Sequence, residues 1–246
     1  MAISFCTTST KRSFDGFTLI EILVVVAVLA ILAGLFMPTL QGMLSRAAEA
    51  KCVSNLKTIS GVSALFSADH NGDWPPSAVG TVFANSLIPY LGRVPGTKDA
   101  DFLNSPLICP AARTDAPDGS YQHRGFYILS YTDPDTGKNF SYGLSYAQNP
   151  FAPGRTTSPA TQVRNRLAVE NASKMMLYMD FYGHYMATLA GIRNPASRDI
   201  LLRRHKGRIN AAYVDGSVRG ILYEEIPTTT PPTRMFWSGR GKTWPD

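Results

Sequence analysis

One apolar run near the N-terminus constrains this chain more than any other feature. Residues 17–37 form a run of twenty-one residues in which Glu21 is the one charged side chain. At about 1.5 Å of rise per residue, a helix of this length spans roughly 31 Å, the thickness of the hydrocarbon core of a bilayer. The run therefore predicts a membrane-spanning helix, and the positive-inside rule places the preceding Lys11 and Arg12 in the cytoplasm.

The position of the small residue Gly16 and the acid at Glu21 distinguish this span from an ordinary signal peptide. A secretory signal has a shorter apolar core with a small-residue cleavage site after it, whereas here the small residue Gly16 precedes the run. Cleavage after Gly16 would keep the span in the mature protein and free a cationic amine on Phe17. An acid in a span is costly unless it is paired, so Glu21 could pair with that amine on a neighbouring chain and set the register of assembly.

The stretch 16–21, Gly-Phe-Thr-Leu-Ile-Glu, resembles the prepilin cleavage and methylation motif of type IV pilins and type II secretion pseudopilins. The resemblance implies that a prepilin peptidase cuts between Gly16 and Phe17 and N-methylates Phe17, with Glu21 as the assembly acid. The implied partners are that peptidase, other pilin or pseudopilin subunits and the inner membrane. The implied location is the bacterial inner membrane, crossed once, with the N-terminus cytoplasmic and the head periplasmic, or extracellular once assembled into a fibre.

A second motif lies near the C-terminus, where His205 is followed after nine residues by Asp215 and Gly216. This spacing resembles the signature of a large pilin-like family, and residues 52–59 and 109–110 match two further patterns of that family. An Asp-Gly pair between alternating runs predicts a two-residue type I′ hairpin turn. We expect Tyr213 to lie opposite Val218, and His205 to cap or hydrogen-bond the loop entering the strand.

The cysteines predict a disulfide. Cys6 is lost with the leader, which leaves Cys52 and Cys109 facing an oxidising compartment, where an even pair suggests a bridge. Two buried free thiols are the alternative. Neither cysteine has metal-ligand spacing with a histidine or a second cysteine, so we expect no metal and no cofactor. The pattern Asp69-x-Asn71-x-Asp73 resembles the start of a calcium loop, but we interpret it as a helix end and turn.

No pattern in the sequence indicates catalysis. The nine-residue spacer separates His205 from Asp215 by roughly 30 Å if it is a fully extended strand. His70, His123 and His184 are isolated in the sequence. A catalytic site needs mutual geometry that these positions do not supply, so we expect a protein that is not an enzyme.

The charge pattern does not indicate nucleic-acid binding. The chain carries 24 Lys and Arg residues against 18 Asp and Glu, a formal net charge of +6. The one dense basic cluster lies at 203–208, with Arg219 nearby, and we interpret it as a solvated face. Nucleic acid is therefore an unlikely partner.

Hydrophobic periodicity predicts a long N-terminal helix and several strands, and the resemblance to pilins implies an α+β fold in which that helix packs on an antiparallel β-sheet head. We divide the chain into a leader at 1–16, a transmembrane and assembly helix at 17–37, an amphipathic helix at 38–69 and an α+β head at 70–246. Pro38 should kink or locally loosen the helix. The head should hold a short helix at 82–91, an extended piece carrying Cys109, strands at 126–131, 140–147 and 174–181, and the C-terminal hairpin.

These features predict a structural subunit of a type IV pilus or a type II secretion pseudopilus. Two alternatives remain open at this level. A membrane-anchored binding module would use the loops and the exposed-looking Trp237 and Trp244, and a tethered hydrolase would need a site that the sequence does not reveal. Glu21 favours assembly over both, because a simple anchor does not need an acid.

Overall fold

In the computed structural model of the chain, the described residues are 18–76, 83–92, 105–114, 127–132, 137, 139–149, 165–182, 192–227 and 236–237. The chain divides into two compact units, Met1–Leu44 and Ser45–Asp246. Gly16 and Phe17, the expected cleavage position, lie outside the described residues, as do His123, His184 and Trp244.

The first unit is the N-terminal part of helix α1, Leu19–Asp69. Thr18 and Glu21 form a capping box at its start: Glu21 Oε2 accepts hydrogen bonds from the amide and the hydroxyl of Thr18, each at 2.8 Å. The segment Leu19–Met37 has a mean hydropathy of 3.0 and is long and apolar enough to cross a membrane. The helix continues through position 38, and the kink or local loosening expected at Pro38 stays a prediction.

In the second unit, α1 buries one face. Its buried side chains recur at steps of three or four residues: Cys52, Leu56, Ile59, Val62 and Phe66. This spacing places them on one stripe of the helix. Burying a side chain of this size contributes roughly 1.5–3 kcal/mol relative to leaving it exposed, so the stripe attaches the helix to the head.

The end of α1 is a Schellman-type cap rather than a calcium loop. The amide of Gly72 donates to the carbonyl of Ser67 at 2.6 Å, and Asn71 is left-handed with φ 53°. Asn165 Nδ2 donates to the carbonyl of Asn71 at 2.7 Å, and the hydroxyl of Tyr90 donates to Asp69 at 2.9 Å. The interpretation as a helix end is confirmed.

The head contains a four-stranded antiparallel sheet and a separate hairpin. The hairpin pairs β1, Tyr127–Thr132, with β2, Asn139–Leu144. The sheet has the order β3-β4-β5-β6. Its strands are β3, Tyr146–Gln148; β4, Met176–Asp180; β5, Arg208–Tyr213; and β6, Val218–Leu222. The α+β prediction is confirmed, and the strand expected at 140–147 is divided between the hairpin and the sheet.

The sheet is covered on both faces. On one face, Leu177 and Ala212 belong to the same core cluster as the stripe of α1 and as α2, Phe83–Leu87. On the other, Met179 and Tyr213 pack with Leu201 of helix α3, Pro195–Arg203. All five residues of β4 are buried, which agrees with the apolar run expected there.

Two features of this second core differ from the sequence-based expectations. Helix α3 was not predicted, because it is short and begins in a polar, proline-containing stretch. Trp237, which was expected to be exposed, is 1% exposed, and its Nε1 donates to the carbonyl of Pro227 at 2.9 Å. The surface that Trp237 was expected to offer a ligand is therefore part of the core.

The C-terminal hairpin forms with a register one residue away from the predicted one. Ala212 lies opposite Val218 and Ile209 opposite Ile221. The amide of Gly216 donates to the carbonyl of Tyr213 and the amide of Tyr213 to the carbonyl of Ser217, both at 2.9 Å. The loop therefore has three residues, and only its last one, Gly216, has a positive φ, 83°.

This geometry is a type I turn followed by a left-handed glycine, the common three-residue hairpin. The role of Asp215 in this turn differs from the one expected in a type I′ turn. Its Oδ1 accepts a hydrogen bond from the amide of Ser217 at 2.9 Å. The extra loop residue changes which residues of β6 lie opposite those of β5, and Leu222 is exposed on the edge strand.

We predict that Gly216→Val lowers the free energy of unfolding by about 1–3 kcal/mol, because a β-branched residue is poorly tolerated at positive φ. Asp215→Asn should change it by less than about 0.5 kcal/mol, since an asparagine oxygen can accept the same hydrogen bond. Thermal unfolding of the detergent-solubilised full chain measures both. A large loss of stability in Asp215→Asn would contradict the turn role assigned to this residue.

Candidate functional site

Four side chains with metal-ligating atoms converge inside the head. Their ligand atoms all lie within 4.8 Å of one another, and all four residues are buried. We call them the Cys–Asp–His cluster, which consists of Cys52, Cys109, Asp180 and His205. Each comes from a different segment, so the cluster exists only in the folded chain.

Cys52 and Asp180 come from regular elements. Cys52 belongs to the buried stripe of α1, and Asp180 is the last residue of β4. Cys52 Sγ donates to Asp180 Oδ1 at 3.0 Å, and the amide of Asn210 on neighbouring β5 donates to Asp180 Oδ2 at 3.1 Å. The hydroxyl of Tyr146 donates to Cys52 Sγ at 3.4 Å. Helix and sheet thus meet through polar contacts at this end of β4.

Cys109 is held by a series of turns rather than by the extended piece that its prolines suggested. Ser105 Oγ accepts from the amide of Leu107 at 3.2 Å. The carbonyl of Leu107 accepts from the amide of Ser145 at 2.9 Å, and the carbonyl of Ile108 accepts from Asn55 Nδ2 at 2.8 Å. A short 3-10 helix, Pro110–Thr114, follows. Asn55 lies on α1, so the same helix that carries Cys52 also orients the turn that carries Cys109.

His205 sits in an unusual backbone conformation between α3 and β5. It has φ 44° and ψ 32°, Lys206 has φ 57° and ψ 46°, and Gly207 has φ 82°. Left-handed conformation costs roughly 1–2 kcal/mol per non-glycine residue. Such strain persists only where surrounding contacts determine it, and it is concentrated at functional sites.

The side chain of His205 enters the cluster. Its Nε2 lies 3.2 Å from Cys109 Sγ and 3.4 Å from Asp180 Oδ2. The expectation that His205 bonds the loop entering the strand is wrong. His205 and Asp215 flank opposite ends of β5, about 20 Å apart by strand geometry, and do not form a pair.

The contacts within the cluster shift its pKa values. Burial opposes ionisation of Cys109, but hydrogen bonding with Cys52 and His205 outweighs it and lowers the pKa of Cys109 to about 6. Burial, together with the contact to Cys109, raises the pKa of Cys52 well above its usual value. Burial lowers the pKa of His205, but its contacts with Cys109 and Asp180 outweigh that effect and raise it. The contacts therefore favour the thiolate of Cys109, and they favour the protonated form of His205 more than in a free imidazole.

Part of the basic stretch beside the cluster is buried, whereas Lys206 and Arg208 are exposed. Arg204 is 2% exposed, and its Nη1 donates to the carbonyl of Phe181 at 3.2 Å. Its positive charge also favours the thiolate form of Cys109. Arg208 donates to the carbonyl of Gly220 at 2.6 Å, and Arg219 stacks over Tyr213 at 4.5 Å. The interpretation as a solvated face is wrong for Arg204.

The geometry does not match a nucleophilic triad. In such triads the thiol and the acid contact opposite nitrogens of the histidine. Here Cys109 and Asp180 both approach Nε2, and Nδ1 is buried without a partner among the described residues. Cys109 is fully buried, so a substrate could not reach its sulfur. Two sulfurs, one imidazole and one carboxylate at this spacing are instead suited to holding a metal ion.

The structure brings together three residues that the sequence singled out, Cys52, Cys109 and His205. Both cysteines are free thiols in this structure. The disulfide expected between Cys52 and Cys109 stays a prediction. The expectation of no metal site rested on spacing along the sequence, which does not detect ligands that only the fold assembles. Asp180 was missed, and the signal that could have found it is an acid ending an otherwise apolar buried strand.

Comparison with known proteins finds one family model and two similar proteins. A family model for the prokaryotic N-terminal methylation motif matches residues 11–37. The type II secretion system core protein G of Aeromonas hydrophila is 38% identical over 61 residues, 25% of this chain and 43% of that protein. Its namesake from Klebsiella pneumoniae is 36% identical over 83 residues, 32% of this chain and 59% of that protein.

The chain spans about half the length of the curated relatives it matches. No solved structure matches the chain significantly. These findings confirm the resemblance that the stretch from Gly16 to Glu21 predicted. The chain carries a prepilin-type methylation motif at its N-terminus and is similar to core protein G of the type II secretion system.

Proposed function

We propose that this chain is a structural subunit of the pseudopilin class, matured by a prepilin peptidase and assembled through α1. The observation that carries the proposal is the methylation motif at 11–37, which leads directly into the exposed apolar segment Leu19–Met37. A type II secretion pseudopilus is favoured over a type IV pilus, because the similar proteins are named as core proteins of that secretion system.

The proposed location and partners follow from the same segment. Leu19–Met37 anchors the chain in the inner membrane before assembly, with Lys11 and Arg12 on the cytoplasmic side and the head on the other. The peptidase cuts between Gly16 and Phe17 and methylates the new N-terminus. Other subunits of the same class then pack against α1.

We also propose that the chain is not an enzyme. The one buried cluster with catalytic residue types among the described residues lacks triad geometry and access for a substrate. A surface binding module is the alternative that the sequence left open. Its support is weakened because Trp237, one of the two aromatics that suggested it, is buried.

Glu21 has two roles in this proposal, and they need different properties of its side chain. In the structure its Oε2 caps the first turn of α1 through Thr18. In an assembly it pairs with the Phe17 amine of a neighbouring subunit. Capping needs only a hydrogen-bond acceptor, which glutamine also supplies, whereas pairing with a cation needs the negative charge.

Processing is tested at Gly16. We predict that Gly16→Leu leaves the uncleaved precursor in the membrane, because a bulky residue at the cut position does not fit a site that accepts glycine. Ser13→Leu adds the same side chain three residues earlier in the leader and should be processed normally. N-terminal sequencing and intact mass measure both. Phe17 as the first residue of Gly16→Leu would contradict the proposed cleavage.

Assembly is tested at Glu21 with two matched variants. We predict that Glu21→Gln and Glu21→Leu are both cleaved and both lose incorporation into sheared fibres by at least about tenfold, because each lacks the charge that pairs with the Phe17 amine. Immunoblotting of the fibre fraction against total membrane protein measures the loss. If Glu21→Gln assembles normally and only Glu21→Leu fails, the side chain acts as a cap and the pairing proposal is wrong.

A further inference from the structure

We propose that the Cys–Asp–His cluster binds one structural Zn²⁺ ion. This site lies in the head and is independent of the N-terminal motif on which the proposed function rests. The four residues come from α1, the turn before Pro110, the end of β4 and the connection from α3 to β5. An ion held by all of them would tie together four segments that are distant in the sequence.

The set of ligand types suits zinc. Two thiolates and one imidazole are common ligands of structural zinc, and a carboxylate oxygen can complete a tetrahedral site. Soft sulfur ligands disfavour Mg²⁺ and Ca²⁺, which prefer oxygen. All four positions are filled by protein and all four residues are buried, so no place is left for a water or a substrate. The site is therefore of the closed, structural kind.

The distances are close to those of a tetrahedral site. Zinc–ligand bonds of about 2.0–2.3 Å put neighbouring ligand atoms about 3.3–3.8 Å apart in a tetrahedron. His205 Nε2 and Asp180 Oδ2 are 3.4 Å apart, and Cys109 Sγ lies 3.2 Å from the same nitrogen. Cys52 Sγ lies 3.0 Å from Asp180 Oδ1. The four ligand atoms lie within 4.8 Å of one another, so side-chain adjustments of up to about 1 Å would complete a tetrahedral site.

The surroundings compensate for the charge of an occupied site. Two thiolates, one carboxylate and Zn²⁺ sum to one negative charge, which the buried guanidinium of Arg204 would offset. Buried charges are tolerated when they are paired or coordinate a metal. The amide of Asn210 orients Asp180 at 3.1 Å, and the hydroxyl of Tyr146 contacts Cys52 at 3.4 Å. Such outer contacts orient metal ligands.

A metal ion explains more of the structure than a disulfide does. A Cys52–Cys109 bridge would use only the two sulfurs and give no role to the buried Asp180. It would also leave unexplained why His205 adopts a left-handed backbone with its Nε2 directed at Cys109. The same two sulfurs cannot form a bridge and bind zinc at once, so the two hypotheses exclude each other and one experiment decides between them.

The test measures metal and thiols in the same sample. The full chain, without a polyhistidine tag, is purified in detergent from zinc-supplemented cells, and zinc is measured by mass spectrometry alongside thiols titrated after denaturation. We expect about one zinc per chain and free thiols at Cys52 and Cys109, in addition to Cys6 where the leader is retained. Replacement by Co²⁺ should give the visible spectrum of tetrahedral thiolate coordination. A bridged Cys52–Cys109 pair, or free thiols without zinc, would overturn the proposal.

A pair of matched variants assigns the ligand. His205→Asn removes the imidazole but keeps a residue that tolerates positive φ, and Lys206→Asn makes the same change at the next, exposed left-handed position. We expect His205→Asn to weaken zinc binding by more than the roughly 10–100-fold that loss of an outer contact costs, and Lys206→Asn to bind normally.

A second readout separates the site from folding and from assembly. A chelator should lower the melting temperature of the unaltered chain and of Lys206→Asn, but not that of His205→Asn. Stoichiometric zinc in His205→Asn would show that this residue is not a ligand. Zinc content does not depend on cleavage at Gly16 or on fibre assembly. Absence of zinc would therefore contradict only the zinc site, and loss of assembly would contradict only the proposed function.

Discussion

The head depends on the packing of the α1 stripe against the four-stranded sheet. Leu56 and Ile59 are fully buried in the same core cluster as Leu177 of β4. A hydrogen bond of 2.7 Å between the hydroxyls of Ser63 and Tyr178 adds direction to this contact. Apolar burial contributes most of the stabilisation but does not specify orientation, whereas a buried hydrogen bond does. Together they determine which residues of α1 meet which residues of β4.

The Cys–Asp–His cluster is a consequence of that packing. Cys52 lies one turn before Leu56 on the stripe, so seating the helix brings its sulfur to the end of β4, where Asp180 stands. The turn carrying Cys109 is anchored to the same helix by Asn55, and His205 reaches the cluster at the cost of backbone strain. Such a strained conformation persists only where the surrounding contacts determine it.

The two ends of the chain therefore meet different requirements. The segment Leu19–Met37 exposes apolar surface that, as proposed, contacts the membrane and neighbouring subunits. In the same proposal the head lies in an oxidising compartment, where a closed metal site would stabilise the connections between its elements. The histidine and the aspartate of the C-terminal motif have separate roles. His205 contacts Cys109 in the cluster, whereas Asp215 accepts a hydrogen bond in the hairpin turn.

The sequence alone determined the apolar span, its acid and its glycine, the α+β class, the buried strand ending near 181 and the existence of the hairpin. These follow from local periodicity and composition, which need no knowledge of distant contacts. Only the tertiary structure decided the hairpin register, the burial of Trp237 and Arg204, and the convergence of Asp180 with Cys52, Cys109 and His205. The register depends on one extra loop residue, and the burial and the cluster depend on how α1 packs on the sheet. The spacing of residues along a chain does not reveal distances that packing creates.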